Sequence, residues 1–141
     1  MDLNPTVWGP HFWFFLHTLS VCYPTRPTKS IKKKYYDFII NLPIFIPNHN
    51  IGNKLAHLLD DFPVTPYLDS RLSFMKWIHF IHNKISADLN KEEIGFRKGL
   101  EAYYSAYRTI PQHVKEKQDK KATYITAIVV MSALIIFVYN K

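Results

Sequence analysis

Two short stretches hold the side chains best suited to chemistry. In WGPHFWFFLHTLSVCYP (8–24), Trp13 and His17 stand four residues apart and share one face of a helix. An indole plane beside an imidazole suits a planar ligand, although plain aromatic packing accounts for the same pair. In FMKWIHFIHNKISADLNK (74–91), Trp77, His79, His82 and Asn83 crowd a single helix. His79 and His82 have the i, i+3 spacing of a metal pair, but no cysteine or carboxylate nearby completes a set, so no metal is expected. Cys22 is the only cysteine. The chain can therefore build no internal disulfide, no CxxC motif and no thiolate zinc site.

The elements that must position these residues read as helices. Residues 8–23 place Trp8, Phe12, Phe15, Leu16, Leu19 and Tyr23 on one face, closed by Pro24. Residues 29–42 repeat the pattern with Ile31, Tyr35, Phe38, Ile39 and Leu42, and the lysines at 29 and 32–34 read as a solvated face. A third helix is expected at 53–61 (Leu55, Leu58, Leu59, Phe62) and an extended connector at 63–69. A fourth runs from Ser70, a candidate N-cap, to Leu89, with Phe74, Ile78, Ile81, Ile85 and Leu89 as its stripe. A fifth, 92–107, is rich in tyrosine. Few glycines and few alternating runs argue against strands. With 48% hydrophobic and 16% aromatic residues there is enough for a core, and the domain is expected to be an all-α bundle.

The remainder reads differently. Residues 122–139 carry no charge and would span roughly 27 Å as a helix, against a bilayer core of ~30 Å. Tyr124 and Tyr139 sit at its ends as interfacial aromatics do. Four lysines at 115–121 precede it, while Asn140 and Lys141 follow. This predicts a tail-anchored protein with its domain on the cytosolic side: a helical domain at 1–114, a basic juxtamembrane linker at 115–121 and a membrane span at 122–139. No cleaved signal peptide is expected at MDLNPTVWGP. The net charge of +7 lies mostly at Lys32–Lys34 and the juxtamembrane lysines, so no nucleic-acid partner is expected.

Taken together, the two stretches resemble the Erv/ALR family of FAD-dependent sulfhydryl oxidases. The residues that carry the resemblance are Trp8-Gly9, Trp13, Leu16-His17-Thr18 and Tyr23-Pro24, then Trp77, His82-Asn83, Ile85, Leu89 and Lys91. PVTPYLDSR (63–71) also looks like a connector of viral members. The resemblance covers about residues 8–100. It implies a four-helix bundle with a short fifth helix, usually dimeric, that cradles FAD. By position, Trp8, Gly9, Trp13, His17, Tyr23, His82, Asn83 and Lys91 would line the flavin. His79 stands at a family cysteine and Ser86 at a family asparagine.

A third departure is chemical. The family's loop after the second helix reads LP-C-x-x-C, and its dithiol exchanges electrons with the flavin. Here NLPIFIPNHN (41–50) puts Ile44 and Pro47 at those positions. Neither offers a nucleophile or a redox couple, and one thiol at Cys22 cannot replace a dithiol. Ile44 and Phe45 are expected to fill the hole left by the lost pair. The expected function is a catalytically degenerate relative, reused as a membrane-anchored structural or adaptor protein. Its setting would be the capsid and internal membrane of a large DNA virus, with coat or other structural proteins as partners. The alternatives are a flavin-linked oxidase using a partner's dithiol, and a homodimer or a heterodimer with an active relative.

Overall fold

The computed structural model describes the backbone of residues 3–87, 89 and 92–139, and their side chains except at 109–122 and 133–139. Asn4 sets the first boundary: its side-chain oxygen accepts from the Thr6 N–H at 3.0 Å, and Pro5 takes the first helical position, where its missing N–H costs nothing. Helix α1 thus spans Pro5–Cys22, starting three residues before the predicted 8. Thr28 caps α2, Lys29–Asn41, which passes into a 3-10 turn at Leu42–Phe45. Asn48 accepts from the Ile51 N–H at 3.1 Å and starts α3 at His49–Asp61, four residues ahead of the expected 53. The connector expected to be extended contains a second 3-10 turn, Thr65–Tyr67.

Helix α4 covers Arg71–Ala87. Ser70 is its cap as predicted, accepting from the Ser73 N–H at 3.2 Å. The last member of the predicted stripe, Leu89, falls beyond the helix and is exposed. The other four are buried and form the core with Leu16, Tyr23, Ile39 and Leu55. Val64 and Leu68 of the connector join them, and the Trp77 indole, also buried, donates to the Phe62 carbonyl at 3.0 Å. Helix α1 packs along α4. Among the described residues there is no strand, so the all-α class holds.

The fifth helix departs from expectation. Helix α5 begins at Phe96 and runs unbroken to Tyr139, 44 residues, so the backbone of 115–121 is helical. Composition explains this: 115–121 consists of good helix formers and an acidic residue, and no glycine or proline follows Pro111. The chain divides into two compact units, Met1–Leu100 and Glu101–Lys141. Among the described residues no helix is long and apolar enough to cross a membrane. The expected span at 122–139 lies partly outside them, because side chains at 122 and 133–139 are not described.

Candidate functional site

Three of the predicted site residues meet where α1 faces α4. The Trp13 indole stacks on the His82 imidazole, ring centres 4.2 Å apart and planes 13° from parallel. His17 Nε2 lies 3.0 Å from His82 Nδ1, a hydrogen bond in which one ring donates and the other accepts. Burial, and then the nearby His79, lower the His17 pKa to about 4, so this imidazole is neutral near pH 7. The cluster is a flat aromatic surface in which a hydrogen bond joins the two imidazoles.

His79 and Asn83 act one turn to the side. His79 is buried, 8% exposed, and its Nε2 lies 2.7 Å from the Ile94 carbonyl. A carbonyl only accepts, so Nε2 carries the hydrogen. The Asn83 amide donates to the same carbonyl at 2.8 Å, while its oxygen faces the Ile94 N–H at 3.4 Å. Both residues thereby fasten the segment leading into α5 onto α4. Gly99 makes room for this arrangement: a Cβ there would come within 2.5 Å of His79 Cε1. Neither Ile94 nor Gly99 was singled out in the sequence, although a glycine within a helical run was a usable signal.

The remaining predicted residues are placed as follows. Trp8 donates from its indole to the Leu3 carbonyl at 3.1 Å and meets Phe12 edge-on. Gly9 is buried, yet a Cβ added there would meet no atom within 4 Å, so α1 borders unfilled space at this turn. Tyr23 stands apart from the cluster. It is 0% exposed, its hydroxyl donates to the Leu68 carbonyl at 2.8 Å, and its ring packs on Tyr35 and Phe74. It serves the core. Ser86 is half-buried near the end of α4, with its carbonyl accepting from the Leu89 N–H; Lys91 lies outside the described residues. The free Cys22 thiol is exposed at the last residue of α1. Among the described residues no group of three or more metal-ligating side chains is poised for an ion.

The loop at 42–47 corrects one expectation. Ile44 and Phe45 are 77% and 66% exposed, so within the chain they plug nothing. The loop is nonetheless firmly seated. Its Pro43 carbonyl lies so close to α3 that a Cβ at Gly52 would stand 2.8 Å from it, and the Pro47 carbonyl accepts from the Leu3 N–H at 2.9 Å. An open cleft of about 320 Å³ between α2 and α3, bordered by Tyr36, Ile40, Pro43, Leu59 and Asp60, contains none of the predicted site residues.

Residues 10–108 match the family model described as the Erv1 / Alr family, and the chain belongs to that family. A protein of Acanthamoeba polyphaga mimivirus, named a probable FAD-linked sulfhydryl oxidase, is 30% identical over 101 residues, 71% of each chain. The FAD-linked sulfhydryl oxidase of African swine fever virus is 26% identical over 96 residues, 68% of this chain and 79% of its own. The crystal structure of the FAD-binding domain of Erv1 from Saccharomyces cerevisiae superposes with a TM-score of 0.62 at 23% identity, covering 69% of this chain and 89% of that one. The fold is therefore the helical fold of Erv1.

Proposed function

We propose that this chain is a catalytically degenerate member of its family that keeps the scaffold and has lost the reaction. One observation carries the reading: Ile44 and Pro47 occupy the two positions where the family resemblance places the redox cysteines, and the only thiol, Cys22, is a single group on another element. Thiol oxidation to a disulfide removes two electrons and two protons from a pair of thiols. A sec-butyl side chain and a pyrrolidine can accept or relay neither. Because both positions are replaced, no single-residue change restores the pair, and Pro47 also fixes the backbone and removes an N–H.

The residues that would hold FAD are in better order. Trp13, His17 and His82 present flat rings, and the unfilled space beside Gly9 lets a planar group approach the α1 backbone. These features fit a flavin. When bound, FAD would supply a two-electron acceptor, while the chain's own residues stack, exclude water and hold one hydrogen between His17 and His82. This retained surface is what favours the second reading, an FAD-linked oxidase that takes a dithiol from a partner.

On the first reading the protein works as a structural or adaptor component, held at a membrane by residues 122–139 with its basic stretch on the cytosolic side. The viral relatives favour a place in the virion of a large DNA virus, beneath the capsid and against coat or other structural proteins. Oxygen uptake by the full chain, supplied with FAD and dithiothreitol, separates the readings. The degenerate scaffold gives no uptake above that of free FAD. Uptake that depends on the protein and needs only a small dithiol supports the oxidase and sinks the first reading.

A further inference from the structure

The cleft between α2 and α3 shares no residue with the candidate flavin surface, and its lining is of two kinds. Most of it is apolar: Ile39 and Val64 are buried, with Ile40, Pro43, Leu59 and Pro63 beside them. The Tyr36 hydroxyl and the Asp60 carboxylate are polar, and neither makes a hydrogen bond or ion pair with any described residue. At about 320 Å³ the space is open and at the lower limit of ligand pockets, so it suits one long side chain rather than a cofactor.

Charge identifies the occupant. The chain has 18 Lys and Arg against 11 Asp and Glu, and other carboxylates draw on that surplus. Asp37 pairs with Lys33 at 2.6 Å, Asp69 with Lys32, and Glu93 with Lys84 at 3.3 Å. Asp60 and its neighbour Asp61 have no such partner among the described residues. They also occupy the last turn of α3, which carries no basic residue. The free carbonyls make that end of a helix negative, so two unpaired carboxylates there are unfavourable until a cation arrives. No other charge at the cleft answers them. Lys33 and Asp37 of α2 neutralise each other, and the connector wall at 63–65 carries none. Lys54 and His57 of α3 stand roughly 200° and 100° round the helix from Ala56 of the cleft wall. The complement of this cleft is a cation on an aliphatic stem. A free amine is held poorly here, because one exposed ion pair contributes little and an open cleft covers only part of a small molecule. A longer segment adds apolar contact with Tyr36 and Ile40, which are 38% and 43% exposed. We propose that the cleft docks a partner protein through a lysine or arginine side chain flanked by apolar residues, its stem on Ile40, Leu59 and Pro63 and its charged head at Asp60. The inference rests on the adaptor reading above and names the chemistry of the partner.

Amide NMR spectra of the full chain in detergent micelles test it with four soluble probes: n-pentylammonium, n-pentanol, n-pentanoate and the capped tripeptide leucine-lysine-leucine. The expected result is saturable shifts at Ala56, Leu59, Asp60 and Val64, tightest for the tripeptide, then pentylammonium, then pentanol, with pentanoate weakest. Asp60→Asn relieves a charge at the negative end of α3, so the variant folds at least as well as the native chain. It should bind both cations about three- to fivefold more weakly, the effect of one exposed ion pair, and pentanol unchanged. Equal binding of ammonium, alcohol and carboxylate overturns the proposal, since the cleft then has no preference for charge. Pentylammonium that binds as tightly as the tripeptide assigns the cleft to a free amine, and the same shifts on concentrating the protein alone assign it to a second copy; each overturns the docking site. Absence of any shift in folded protein refutes the cleft and leaves the adaptor reading standing, whereas thiol-driven oxygen uptake removes that reading without moving these shifts.

Discussion

His17 couples protonation to folding. Its pKa falls from 6.5 unfolded to about 4 folded, through burial and then the nearby His79. Between these values the unfolded chain binds the extra proton, so stability is full above about pH 6.5 and is lost as pH falls toward 4. The loss should be on the order of 1–3 kcal/mol. Urea denaturation across this range should show it, and His17→Gln should flatten the slope. A wild-type slope of the opposite sign contradicts the assignment. Tyr23 makes a different point. Tyr23→Phe leaves the Leu68 carbonyl without its buried donor, and should destabilise the fold by about 1–2 kcal/mol while leaving the Trp13–His17–His82 cluster, and any flavin bound there, unaffected. Gly9→Ala should do the reverse. A methyl there meets no atom of the chain, so folding is unharmed, but the added group intrudes where a flavin would approach α1. FAD titration followed by fluorescence should show weaker binding, while the melting temperature rises by the equivalent of up to ~1 kcal/mol of helix propensity.

At the scale of elements, α3 and the 42–45 turn are bound together by a missing side chain. Alanine at Gly52 gains up to ~1 kcal/mol of helix propensity, but its Cβ would sit 2.8 Å from a backbone oxygen that cannot swing aside. The clash should win, giving a net loss of roughly 1–2 kcal/mol, whereas Gly95→Ala, with nothing within 4 Å, should be near neutral. Thermal melts of the two variants check the contrast. Much of this layer was legible in sequence. The stripes of α2 and α4 and the Ser70 cap follow from spacing alone, because burial on one face imposes the helical period. The starts of α1 and α3 were not legible from apolar spacing. Asn4 and Asn48 act through cap bonds, and each precedes the first stripe residue by several positions. The run of α5 past 107 escaped for a similar reason. Its 108–121 segment is polar and lacks a stripe, so only helix propensity marks it.

For the whole molecule, the family was legible because two motifs keep order and spacing over a length that chance does not supply, and the fold matched that expectation. The candidate site was legible in part. Trp13, His17 and His82 were named from type and spacing, and they do converge, since helix periodicity fixes which residues share a face. The roles of His79 and Asn83 as fasteners of residue 94, and of Tyr23 as a core residue, depend on partners 11 to 45 positions away, which no local pattern encodes. The exposure of Ile44 and Phe45 was equally hidden, because an apolar residue in a loop reads the same whether it fills a hole or faces outward. The central claim is that a scaffold able to hold a flavin has no way to reduce it. Anaerobic mixing of the FAD-supplied protein with dithiothreitol, following the visible flavin band beside an Ile44→Cys/Pro47→Cys variant, tests that claim most directly. Bleaching of the native protein's flavin no faster than free FAD, with faster bleaching in the variant, is the predicted result; rapid bleaching in the native protein would contradict it.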